Sequence, residues 1–209
     1  MSTLQQPLQQ FLDELASSAP TPGGGGAAAV IGATGAALLS MVANLTIGKK
    51  GLEEVDAEMR GILVQSEQLR ARLSAMVADD VAAFDSLMAS YKLPKDTDDQ
   101  KAARSAQIQA ALRAATEAPM ACARAAAAVV QLSRRTAEIG NKNVISDAGV
   151  GVLAAQAALR SAALNVYINA PSLKDQDFAR GIVQELEALL AESAVASEDI
   201  YSLVKARLA

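Results

Sequence analysis

Apolar residues recur along this chain at helical spacing, and nowhere do they alternate with polar ones over a convincing strand length. The clearest run, 52–93, predicts one long amphipathic helix. Its stripe reads Met59, Ile62, Ser66, Leu69, Leu73, Met76, Asp80, Phe84, Leu87 and Tyr91, in steps of three and four that share one face. Asp80 breaks the stripe. It lies in one heptad lane with Ser66, Leu73 and Leu87, so it should point where they point, into the protein. A carboxylate there loses hydration and needs a cation, donors or a proton. Such groups gather at functional sites, but a buried Asp satisfied by an Arg or a backbone N–H reads equally well from the pattern.

The same periodicity lays out the rest. A first helix is predicted over 4–16 (Leu8, Phe11, Leu12, Leu15), followed by a Pro- and Gly-rich loop, 17–26. Residues 26–47 predict a helix apolar on all sides, thinned by Gly32, Gly35 and alanines. Its length and lack of charge suit a membrane span, but its Ala/Gly richness and its Thr34, Ser40, Asn44 and Thr46 favour a central buried helix. Pro94 breaks the chain after the long helix. Thr97 to Gln100 reads as a capping box opening a helix to about residue 116, and Pro119 starts or kinks another that ends near Gly140. A second small-residue helix follows over 147–170, with Ser146 as its cap, and a long last helix runs to about 208, capped within 172–175. The expected fold is all-α: a single domain, 1–209, built as an antiparallel bundle of two long and two buried Ala/Gly-rich helices. The long helices would overhang a compact monomer, so a homodimer is expected.

Composition narrows the chemistry. Hydrophobic residues make up 51% and aromatics 3%, with no Trp, and 209 residues bury a core without staples. Net charge is −4 with no basic cluster, so nucleic acid is not an expected partner. Histidine is absent, which removes His-ligated metals and His acid–base chemistry; no metal site is expected. The lone Cys122 lies in an Ala-rich run, reads as core packing and fits a reducing cytoplasm. The polar N-terminus lacks a basic n-region, so no signal peptide is expected.

Four further features carry candidate chemistry. Glycines 23–26 remove side chains at a helix N-terminus, where N–H groups can meet a carboxylate, although a plain loop is the simpler reading. Lys49 either complements a helix dipole or sits over a site as a cation. Asn141 and Asn143 suit a turn, and Asp147 suits a first helical turn. Asn165 and Asn169, four apart on an apolar helix, need partners.

In order along the chain stand Pro20-Thr-Pro22-Gly23-Gly24-Gly25, Leu45-Thr46-Ile-Gly48-Lys49, Asp80-x-x-x-Phe84, Leu93-Pro94-Lys95 and Gly140-Asn141-x-Asn143-x-x-Ser146-Asp147. With this ordered set the sequence resembles the cyclodeaminase/cyclohydrolase family of folate one-carbon enzymes over nearly its whole length. The resemblance implies an all-helical homodimer acting on a tetrahydrofolate, with no separate cofactor. The family loop is often Gly-Gly-Gly-Ser; here Gly26 takes the fourth place. With no formiminotransferase half in these 209 residues, the expected activity is hydrolysis of 5,10-methenyltetrahydrofolate to 10-formyltetrahydrofolate. The alternatives are cyclodeamination of 5-formiminotetrahydrofolate and a non-catalytic dimerisation module. The resemblance implies Asp80 as acid–base group, and the chemistry of that substrate assigns Lys49 as the cation polarising the developing oxygen or holding Asp80 ionised. Pro22, Gly23, Gly24, Gly25, Gly26, Phe84, Asn141, Asn143, Asp147, Asn165 and Asn169 are the expected substrate contacts.

Overall fold

The computed structural model describes residues 7–208, and the described residues contain six α-helices and no strand. They are α1 (Leu8–Leu15), α2 (Gly24–Asn44), α3 (Asp56–Tyr91), α4 (Asp98–Ile139), α5 (Ile145–Asn169) and α6 (Gln176–Leu208). The start of the first expected helix, residues 4–6, lies outside the described part.

Helices α2, α3, α4 and α5 form a ring in which each neighbour runs antiparallel to the next. The register of α2 on α3 is fixed by Ser40 Oγ and Ser66 Oγ, 2.8 Å apart in the interior. On its other side α2 meets α5 where Gly35 and Gly151 touch: a Cβ on Gly35 would lie 2.9 Å from the Gly151 carbonyl oxygen. Only helices bare of side chains at that point can approach so closely. The predicted stripe of α3 faces inward: Met59, Ile62, Ser66, Leu73, Met76 and Leu87 are buried, whereas Tyr91 at its end is exposed.

Helix α6 lies parallel to α4, tied to it by Arg113–Asp175, Arg124–Glu185 and Arg134–Asp199. Each is a partly exposed pair worth ~0–1 kcal/mol, so they set register more than stability. Its apolar face, with Ile182, Leu186, Ile200 and Val204, closes the core over α4 and α5. Arg207 near its end donates to the Ala137 carbonyl and, at 2.6 Å, to that of Glu138, a cation at the C-terminus of α4.

The chief departure from the sequence reading is α4. The helices expected on either side of Pro119 are one continuous helix of 42 residues, so the bundle has three long helices, not two. Pro119 has no N–H for the carbonyl of Ala115, one turn back. The side-chain amide of Asn169 supplies the missing donor at 2.7 Å. The Thr97 capping box forms as expected, with both of its hydrogen bonds present. Ser146 does not cap α5, which starts one residue earlier, at Ile145. Gly140 ends α4 in an extended rather than left-handed conformation.

Candidate active site

Helix α2 begins in the glycine run, and Asp80 reaches it from α3. The Gly26 N–H, in the first turn of α2, donates to Asp80 Oδ2 at 2.9 Å. A Cβ on Gly25 would fall 2.1 Å from Asp80 Oδ1, so the carboxylate rests directly on the Gly25 backbone. The glycine N–H expected to meet a ligand's oxygen is thus taken, at Gly26, by the protein's own carboxylate. Two forces act on that carboxylate. Burial pushes its pKa above the ordinary value, and the Gly26 hydrogen bond pulls it back in part. No Lys or Arg pairs with it among the described residues. A cavity of about 10 Å³, room for one water, opens beside it and is lined by Gly25, Ala29, Met76, Pro119 and Cys122. Burial, helped by the Asp80 charge, pushes the Cys122 thiol up to about 12, so it stays protonated and is no nucleophile.

Around this centre the Thr21–Pro22 peptide is cis, and Pro22 is buried against Gly26. Phe84 lies one turn beyond Asp80 on α3, half-buried. The Asn165 amide nitrogen donates to the Ser161 carbonyl at 3.0 Å and lies 3.9 Å from a Cβ built on Gly24. Asn169 is near the same end, but its amide nitrogen is committed to Ala115.

The remaining expected residues gather elsewhere. Lys49 Nζ donates to Asn141 Oδ1 at 2.7 Å. Asn141 also donates from its backbone N–H to Thr46 Oγ1 and from its amide to the Leu45 carbonyl, and its Oδ1 accepts from the Asn143 N–H. Buried Asn141 is therefore a clamp between the end of α2 and the start of α5. Asn143 is exposed, and Asp147 sits half-buried in the first turn of α5. This cluster follows the C-terminus of α2, whereas Asp80 sits at its N-terminus. The twenty residues between Gly26 and Thr46 separate them by about 30 Å. Within one protomer Lys49 therefore cannot hold Asp80 ionised. The expected residues form two clusters at opposite ends of the α2–α5 pair. Met76 is the stripe neighbour expected one turn before Asp80, whereas Pro119 and Cys122 were not expected beside it; the spacing Pro119-x-x-Cys122 on one helix face was the available signal. Among the described residues, no three Cys, Asp or Glu side chains gather as a metal site would need.

A family model for formiminotransferase-cyclodeaminase matches residues 7–188. The chain belongs to the formiminotransferase-cyclodeaminase family. Within it, the chain is 59% identical over 201 residues to a methenyltetrahydrofolate cyclohydrolase of Methylorubrum extorquens, covering 96% of this chain and 97% of that one. It is 34% identical over 208 residues to the formimidoyltransferase-cyclodeaminase of Sus scrofa, of which it spans 38%. The crystal structure of formiminotetrahydrofolate cyclodeaminase from Thermotoga maritima superposes with a TM-score of 0.82 at 32% identity, over 98% of this chain and 96% of that one.

Proposed function

We propose that this chain hydrolyses 5,10-methenyltetrahydrofolate to 10-formyltetrahydrofolate, and that it does so as a homodimer. One observation carries the choice of reaction: the 59% identity to a methenyltetrahydrofolate cyclohydrolase runs end to end in both chains, with identity to the Sus scrofa cyclodeaminase at 34%. Asp80 at the glycine loop is the group whose geometry suits the chemistry.

The methenyl carbon is a cationic amidinium carbon between N5 and N10. An Asp80 carboxylate stabilises that cation and takes a proton as water adds to the carbon. The neutral carbinolamine is then protonated at N5 by Asp80, the C–N5 bond breaks, and the hydroxyl loses its proton to leave the formyl group on N10. The net yield is one proton per turnover. One acid–base group of this kind is worth ~10² to 10⁴ in rate. The water-sized cavity beside Asp80 supports this reading, as does the stable thiol of Cys122, which leaves the carboxylate without a nucleophilic competitor. The folate is the substrate, and no further cofactor takes part.

The likeness to a cyclodeaminase structure favours a second reading, ring closure of 5-formiminotetrahydrofolate with release of ammonia. Supplying each folate separately decides. Hydrolysis is expected, seen as loss of methenyl absorbance. Ammonia release from the formimino compound without formyl product would replace the first reading by the second. Turnover of neither would leave a non-catalytic helical module.

A further inference from the structure

All four helices of the ring meet at the cavity beside Asp80. Gly25 comes from α2, Asp80 from α3, Pro119 and Cys122 from α4, and Ala162 from α5. At about 10 Å³ the cavity has room for one water. Its size depends on the placement of four helices at once, and the α4 wall is the one with a break in its own backbone. Pro119 has no N–H to give the Ala115 carbonyl, and its ring crowds that carbonyl as well. A helix so interrupted ordinarily bends there.

Asn169, at the end of α5, fills the gap with its side-chain amide at 2.7 Å. This bond joins two helices: it ties α4, one turn before Pro119, to the last turn of α5. One turn earlier on α5, the Asn165 amide lies beside Gly24, the neighbour of the Gly25 backbone on which the Asp80 carboxylate rests. The end of α5 therefore meets both the α4 wall and the glycine loop. Of the side chains lining the cavity, Asp80 and Cys122 are the two that titrate; α2 carries no titratable residue, α5 contributes Ala162, and Asp79 and Asp85 of α3 are exposed. The thiol stays protonated. Hydration is thus what a moving wall changes at the carboxylate.

We propose that Asn169 is a positioning residue for the Asp80 centre: by holding α4 across Pro119, it keeps the Pro119–Cys122 wall closed on the carboxylate and the cavity at the size of one water. Its amide nitrogen serves the bundle rather than the folate. The consequence for rate rests on the hydrolase reading; the closed wall does not.

Two readouts test this. Cys122 is the chain's one cysteine and a buried part of the wall, so its labelling by methyl methanethiosulfonate reports the wall with no substrate present. Asn169→Ala is expected to label on the order of tenfold faster than wild type, through local opening of α4. In hydrolysis of methenyltetrahydrofolate its kcat should fall on the order of 10- to 10²-fold as the site loosens. Its KM should stay within about twofold, because no contact with substrate is lost. The acid limb of its kcat profile should move down toward the ordinary Asp value of 3.8 as the carboxylate is rehydrated. Adding Pro119→Ala gives α4 its own N–H for the Ala115 carbonyl and should restore both the thiol's protection and most of kcat. Wild-type labelling in Asn169→Ala, a raised KM at unchanged kcat, or no rescue by Pro119→Ala overturns the positioning role. If Asn169→Ala alone does not fold, the comparison is made in the Pro119→Ala background. There Asn169→Ala should change neither labelling nor rate, and a further loss overturns the role as well. A wild-type protein that turns over no methenyltetrahydrofolate would remove the hydrolase reading and leave the labelling result to stand or fall by itself.

Discussion

Replacing Gly25 by Ala isolates the contact on which the site is built. The new Cβ would lie 2.1 Å from Oδ1, 2.6 Å from Cγ and 2.9 Å from Oδ2 of Asp80, so the whole carboxyl group must leave. Its bond to the Gly26 N–H goes with it. Overpacking costs about 1–3 kcal/mol, and a lost hydrogen bond to a charged group about 1.5–3 kcal/mol. Two terms offset this: Ala gains up to ~1 kcal/mol over Gly inside a helix, and the displaced carboxylate recovers hydration. The net is about 2 kcal/mol, or a fall in Tm of about 4–8 °C for a chain of this size. Turnover should fall by ~10² or more, because the proposed acid–base group has moved. Two controls bracket the result by thermal unfolding. Gly61→Ala, with nothing within 4 Å of the new Cβ, should hold or raise the Tm. Gly26→Ser places a Cβ at ordinary contact, 3.7–3.8 Å from Pro22, Val77 and Asp80, and should also be tolerated. Wild-type stability and rate in Gly25→Ala would show that the carboxylate does not depend on this contact, and the reasoning would fail.

The acid limb of the kcat profile should lie above the ordinary Asp value of 3.8, because burial raises the Asp80 pKa and the proposed base works only when ionised; a limb at or below that value contradicts it. The same shift bears on stability. A carboxyl whose folded pKa is raised contributes stability that is fully present below its unfolded value and lost as pH rises through the folded one. Asp80→Asn keeps the acceptor for Gly26 and sheds the charge, so its urea midpoint should match or exceed wild type at pH 7, with the difference vanishing below the ordinary Asp value of 3.8. Asn169→Ala leaves the Ala115 carbonyl without a donor and should cost about 1–3 kcal/mol in urea titration. Adding Pro119→Ala restores a helical N–H and should recover most of that loss; strict additivity of the two changes would sink the pairing.

Much of the bundle was legible because its helices obey a local rule. The α3 stripe, the Thr97 capping box and the lone acid at Asp80 are all properties of a few neighbouring residues. Other features were harder to read, because they depend on residues far apart in sequence. Proline ends most helices, and α4 survives Pro119 only through an amide 50 residues later. Asn165 and Asn169 were seen to need partners, but the partners found are backbone carbonyls of the bundle. Lys49 and Asp80 both stood out as chemistry-bearing, and the ordered motifs carry no distances. The separation could still have been read, since a helix expected over 26–47 puts about 30 Å between its ends. Asn141 resisted altogether, because a turn residue and a four-bond clamp look alike in sequence.

The most direct measurement is hydrolysis of 5,10-methenyltetrahydrofolate by wild type and Asp80→Asn side by side, followed at the methenyl absorbance, with circular dichroism confirming equal helix content. A loss of about 10²- to 10⁴-fold in kcat by a fully folded Asp80→Asn protein is expected. A rate within a few-fold of wild type would reduce Asp80 to a cap on the first turn of α2 and take the proposed mechanism with it.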